Sequence, residues 1–222
     1  MRLGPLIALL AAALPTASLA VEQDALLWAS VTANGALGGG VLFTGDTQAR
    51  IGSGPQDFRQ YVIRAGLGAR IAHHVTVHGG YALFRTGSDR RLSTEHRTWQ
   101  QIGFPVWSRR GLAVVGRTRL EQRFLDGADR VSWRVRQQVR ANVPLGRPTE
   151  PSLVFASEGF LNLNGPRGAP RAGLDRWRVQ AGLSVPLGGG VSLEPAYLNQ
   201  YVPRRGRDLD EHILATGLSF RW

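Results

Sequence analysis

The chain has 222 residues and no cysteine, so it is long enough for one domain and can build neither a disulfide framework nor a thiolate metal site. Its formal charge is +11, and the whole positive side is arginine, without a single lysine. Such a charge often marks a nucleic-acid partner. Here the arginines are spread through alternating segments rather than along one helix face, and the N-terminus directs the chain out of the cytoplasm, so no nucleic acid is expected.

Residues 1–20 read as a secretory signal peptide. Arg2 provides the positive start, Leu6 to Leu14 form an apolar run, and Ser18-Leu19-Ala20 fits the small-x-small cleavage rule. The run is too short to cross a bilayer as a helix, which takes about 20 residues. The expected domain is therefore 21–222.

The remainder alternates with period 2. Leu27, Ala29 and Val31 oppose Leu26, Trp28, Ser30 and Thr32, followed by Asn34-Gly35, a strong hairpin-turn pair. Full strands are then expected at about 36–50, 58–71, 74–85, 93–105, 111–125, 129–144, 151–163, 172–187, 190–202 and 211–222. In the clearest segment Leu112, Val114, Gly116, Thr118, Leu120 and Phe124 share one face, with Gln122 a polar exception, while Arg117, Arg119, Glu121 and Arg123 share the other. The next repeats it. Val131, Trp133, Val135, Val139, Ala141 and Val143 oppose Arg130, Arg134, Arg136, Gln138 and Arg140, with Gln137 the exception.

A soluble sandwich also alternates, with its apolar face inward. Three features favour the inverted arrangement. The segments run to ~12–15 residues, against ~5–6 in globular sheets. Turn-rich stretches separate them at ~20-residue spacing, as in barrel hairpins. The last strand ends on Trp222 with Phe220 on the same face, resembling the terminal aromatic signal that the barrel-assembly machinery recognises in outer-membrane proteins. The fold expected is a transmembrane, antiparallel, up-and-down all-β barrel in the cell outer membrane. It has about ten strands plus an N-terminal segment, with twelve as the alternative, because bacterial barrels carry even numbers.

Five stretches, taken in order, resemble an uncharacterised proteobacterial family, domain of unknown function 2490. They are Glu95-His96-Arg97-Thr98-Trp99-Gln100-Gln101, Arg117-x-Arg119-Leu120-Glu121-Gln122-Arg123, Arg134-Val135-Arg136, Ser157-Glu158-Gly159-Phe160-Leu161-Asn162 and Tyr197-Leu198-Asn199-Gln200-Tyr201. The resemblance spans about Trp28 to Trp222. It implies an outer-membrane barrel and brings no assigned reaction.

By parity the lumen receives Arg64, Arg70, Arg97, Arg117, Arg119, Arg123, Arg130, Arg134, Arg136, Arg140, Arg176, Arg178 and Arg221, with Glu95, Glu121, Glu158 and Glu194. The excess of arginine favours either a ladder of Arg–Glu pairs or attraction of a small anion or lipid head group. The candidate cluster is Glu95, Arg97, Arg119, Glu121, Arg123, Arg134, Arg136, Glu158, Asn162 and Arg178, in ion pairing and anion binding rather than covalent chemistry.

No catalytic residues, metal site or cofactor are expected. There is no Gly-x-Ser-x-Gly elbow or His-x-Ser pair, and His73-His74 lacks a third ligand. The expected partner is outer-membrane lipid, and the chain is expected to be a monomer. The alternatives are an outer-membrane lipid hydrolase and a soluble periplasmic β-protein that binds an acidic ligand.

Overall fold

The computed structural model describes residues 22–52, 58–88, 91–109, 111–147 and 149–222. The expected signal peptide lies outside them. Every regular element among these residues is a strand. In chain order they are β1 (Glu22–Gly38), β2 (Val41–Ile51), β3 (Phe58–Ala72), β4 (Val75–Ser88), β5 (Arg91–Arg109), β6 (Leu112–Leu125), β7 (Ser132–Pro144), β8 (Ser152–Asn162), β9 (Gly173–Gly188), β10 (Val191–Leu193), β11 (Ala196–Val202) and β12 (Leu209–Arg221).

Apart from β10 and β11, each strand pairs antiparallel with the next, and β1 pairs with β12 to close the sheet into a barrel. The short β10 and β11 are two halves of one stave, since both pair with β9 on one side and β12 on the other. The break falls at Glu194-Pro195, where proline removes a ladder donor. The barrel thus has eleven staves.

An odd count forces one parallel neighbour, and it is the closing seam. β1 runs beside β12 in the same direction, in register from Glu22↔Leu209 to Asn34↔Arg221. The N-terminal segment set apart from the ten expected strands is therefore a complete stave of 17 residues. The turn lies later than Asn34-Gly35 suggested. Gly38, Gly39 and Gly40 all have positive φ and make the reversal, whereas Asn34 pairs in the ladder and its Oδ1 accepts from Thr44 Oγ1 at 2.7 Å. Gly35 has another use. A β-carbon there would overlap the Trp222 indole, which lies over it and stacks on Phe43 with centroids 6.2 Å apart. The C-terminal tryptophan thus covers a bare stretch of backbone at the closing seam.

The two rims differ. The C-terminal rim carries Trp222, tight reversals at Gly39-Gly40, His73-His74 and Gly189-Gly190, and one longer connection, 145–151. The N-terminal rim carries Glu22 and the longer connections 126–131, 163–172 and 203–208. Two of these are tied together, with Asp129 N–H donating to the Arg167 carbonyl and Asn164 Nδ2 to that of Val131.

Parity decides which side chains face in, and the apolar face is the outer one. Leu67 is 55% exposed, Trp133 40% and Leu214 64%, while Arg134 is 3% exposed and Glu121 1%. Not all the interior is charged. Val62, Ala82, Phe84 and Trp99 form one buried apolar cluster, and Leu26, Trp28, Leu198 and Ile213 form a second.

Three of the arginines expected inside are at the edges instead. Arg130 precedes β7 and lies exposed in a loop beside Asp129, Arg221 is largely exposed at the C-terminal rim, and Arg70 is exposed near the same rim. Inward parity holds only while a residue lies within the walls of the barrel.

Candidate functional site: the arginine-lined interior

Alternation places Arg97, Arg119, Glu121, Arg123, Arg134, Arg136, Glu158 and Asn162 on the inner surface of four adjacent strands, β5 to β8, and all eight are buried. The ladder sets like charges together at two places, since Arg97 stands directly opposite Arg123 and Arg119 opposite Arg136. Carboxylates shared between guanidiniums offset this.

Glu95 accepts from Arg97 Nε at 2.7 Å and Arg123 Nε at 2.6 Å. One oxygen of Glu121 accepts from Arg134 Nη2 at 2.6 Å and Arg97 Nη1 at 3.4 Å, and its other from Arg136 Nη1 at 2.8 Å. Glu158 accepts from Arg136 Nη2 at 2.9 Å and Arg117 Nη2 at 2.6 Å. Asp175 accepts from Arg134 Nη1 at 2.9 Å and Arg176 Nε at 2.8 Å. A continuous charged network therefore runs from Glu95 and Asp175 near the N-terminal rim to Glu158 and Arg117 at mid-barrel. Arginine suits it because the planar, permanently charged fork can serve two carboxylates at once.

Of the ten residues singled out from the sequence, seven are linked by ion pairs: Glu95, Arg97, Glu121, Arg123, Arg134, Arg136 and Glu158. Asn162 joins through Nδ2, which donates to Asp175 Oδ1 at 3.2 Å and the Arg171 carbonyl at 2.9 Å. Arg119 and Arg178 stand apart. Arg119 donates Nε and Nη2 to Gln101 Oε1 at 3.0 and 2.6 Å, and Arg178 donates Nε to Gln200 Oε1 at 2.6 Å. Among the described residues neither has a carboxylate in ion-pair range.

Two kinds of participant were missed in the sequence reading. The first is carboxylate: Asp175, and Asp46, which lies 3.1 Å from Arg64. The second is a set of aromatic platforms. The Arg97 guanidinium lies 3.5 Å from the Phe84 ring centroid and Arg119 4.6 Å from that of Trp99. Arg136 and Arg178 lie 4.5 and 4.6 Å from Phe160. Arg50 and Arg178 lie 4.1 and 4.9 Å from Trp28. Ring faces attract cations, more so away from water. The signal was present: Trp99 has the parity of Glu95 and Arg97, and Phe160 that of Glu158 and Asn162.

The space left over is small. A cavity of about 250 Å³ lies at mid-barrel, lined among others by Trp28, Arg64, Glu158 and Arg178. A second, of about 360 Å³, lies at the C-terminal rim among Asn142, Ser192 and Arg221.

His96 and His212 lie on the outer face, where the Nδ1 of each meets the hydroxyl of Tyr81 and Tyr197 respectively. His73 and His74 form a rim turn. Among the described residues no three His, Asp or Glu side chains are grouped to hold a metal.

The fold and site define a closed β-barrel with an oily exterior and an ion-paired, arginine-rich interior. The family of proteins of unknown function DUF2490 matches residues 25–211, and the chain belongs to it. It is also 32% identical over 203 residues to an uncharacterized protein of Methylorubrum extorquens, covering 90% of this chain and 89% of that protein. No solved structure matches.

Proposed function

We propose that the protein is an outer-membrane barrel whose interior is closed to bulk flow and holds small anions rather than passing large solutes. The observation that carries this reading is the inversion of the usual order: leucine, valine and tryptophan outside, buried guanidiniums within. In water an apolar outer surface of this extent would be an aggregation hazard, whereas in hydrocarbon it is the favoured surface. Three tight reversals at the C-terminal rim, beside the single longer connection 145–151, against the connections 126–131, 163–172 and 203–208 at the other follow the habit of such barrels, whose short turns face the periplasm. On that orientation the C-terminal rim is periplasmic and 126–131, 163–172 and 203–208 face outward.

The interior supports the second half of the proposal. Water-filled porins use ~16–18 staves. Here eleven enclose a lumen crossed by the network from Glu95 to Arg117. Its positive excess favours anions over cations.

Fractionation tests the location. The protein is expected in the outer-membrane fraction, resistant to carbonate extraction and soluble only in detergent; recovery in the periplasmic extract overturns the reading. Planar-bilayer recording tests the closed interior. No porin-sized conductance is expected, and steady, large steps overturn it.

A further inference from the structure

We propose that the mid-barrel cavity is a binding site for one small oxyanion, a phosphate or carboxylate group, anchored by Arg178 and entered from the C-terminal rim. The proposal deepens the reading of the interior as an anion-holding chamber and rests on it.

Charge is the first reason. The three carboxylates lining the cavity are already engaged: Asp46 by Arg64, Glu194 by Arg140, and Glu158 by both Arg117 and Arg136. Arg178 is the lining arginine left over. Its one hydrogen-bond acceptor is the neutral Gln200, whose amide is itself committed to Glu211. Behind it, Arg50 lies against the same Trp28 ring and donates only to Gln48 and Gln60. One indole thus carries two guanidiniums, and no described carboxylate lies in ion-pair range of either; Glu158, across the ladder from Arg178, is held by Arg117 and Arg136. Arginine does not escape such a position by losing its proton. A bound anion supplies the missing charge, and the guanidinium fork matches two oxygens of a phosphate or carboxylate.

Size and lining narrow the ligand. A volume of about 250 Å³ falls below the ~300–1,000 Å³ usual for drug-sized ligands, so the site suits a small free anion and not an acylated lipid. Ser30, Thr32 and Gln180 add neutral donors to its wall.

The route follows from the ladder. The buried network closes the N-terminal side. On β7 and β12, and on the chain at β10, the residues two positions beyond the cavity lining border the outer cavity: Asn142 beyond Arg140, Arg221 beyond Ser219, and Ser192 before Glu194. Between the two cavities Glu194 lies 3.2 Å from Arg140 and 4.0 Å from Arg221. An entering anion meets Arg221, displaces Glu194 from Arg140 and reaches Arg178.

Isothermal titration of the full, detergent-folded protein with inorganic phosphate and, separately, malonate tests the site, at an ionic strength fixed with sodium chloride. One phosphate or one malonate per barrel is expected. Arg178→Gln is expected to weaken binding at least ~10-fold, by analogy with loss of a charge-assisted pair, while the exposed loop change Arg130→Gln leaves it within ~2-fold. Heat-modifiable migration in gels checks that each variant is folded. Should Arg178→Gln not fold, Thr32→Glu serves instead: it sets a carboxylate in the cavity and is expected to abolish binding. Phosphate binding unchanged in the folded variant overturns this site and leaves the anion-holding interior standing. Absence of binding by both anions overturns the site and the anion-holding reading together, and leaves the membrane barrel to fractionation.

Discussion

The two halves of the interior handle the same side chain in opposite ways. Toward the N-terminal rim, Arg97, Arg123, Arg134 and Arg136 are buried and share carboxylates, and all but Arg123 also lie over aromatic rings. Around mid-barrel, Arg178 rests on Trp28 without a carboxylate in ion-pair range, at the wall of an open cavity, and Arg50 shares the same ring. The difference teaches that the number of arginines inside a barrel says little by itself. What matters is whether each has its carboxylate. The first half is a plug that fixes the register of neighbouring staves; the second has the charge and the room to take a guest.

That contrast can be broken most forcefully at Glu121. Three guanidiniums converge on its two oxygens. Glu121→Gln leaves them buried without their shared charge and is expected to lower stability by about 3–5 kcal/mol, the range for removing one partner of a buried pair. Urea unfolding in detergent, followed by tryptophan fluorescence, measures this; a cost below ~1 kcal/mol would mean that the network is wet and loosely held. Next comes the packing beneath the plug. Gly80 lies under the Trp99 ring, and a β-carbon there would meet both the indole and the Ala65 carbonyl. Gly80→Ala is expected to cost about 1–3 kcal/mol by overpacking, read in the same unfolding experiment.

Arg178→Gln should behave differently from either. It removes a cation without an ion-pair partner, so the lost ring contacts and the attraction of Glu158 across the ladder are set against relief of repulsion from Arg50 and Arg176. The net change expected is within about 1 kcal/mol. A loss as large as that at Glu121 would erase the distinction between plug and cavity.

The smallest effect belongs to a rim loop outside both regions. Asp208 accepts from the Tyr201 hydroxyl and the Arg204 backbone N–H, which hold its carboxyl below the usual aspartate range. This tie contributes fully above the unfolded aspartate value of about 3.9 and is lost as pH falls through the lower folded one. Protection of the Arg204 amide, taken relative to its intrinsic exchange rate at each pH, should therefore hold at neutral pH and fall under acid conditions, and Asp208→Asn should reduce that pH dependence.

Alternation made much of this legible in the sequence. Glu95, Arg97, Arg119, Glu121, Arg123, Arg134, Arg136, Glu158, Asn162 and Arg178 share inward parity because a strand turns every second residue the same way. The stave count was harder. Asn34-Gly35 carries strong turn chemistry, yet cross-strand pairing and the covering tryptophan hold it extended, and the three glycines just beyond make the reversal. An even count was expected because bacterial barrels usually bring both ends of the chain to one rim. Nothing local in β1 announces a parallel partner nearly two hundred residues away. Asp175 was missed because a register shift between Phe160 and Leu161 upsets simple parity on the facing strand.

The parallel seam also limits how the chain can be rewired. In a barrel with an even number of staves the two ends meet, and a few residues can splice them. Here Glu22 and Trp222 lie at opposite rims, separated by a ladder of 13 paired positions, or roughly 40 Å at about 3.3 Å per residue. A circular permutant would need a linker running the full height of the wall, over the oily outside or through the crowded core.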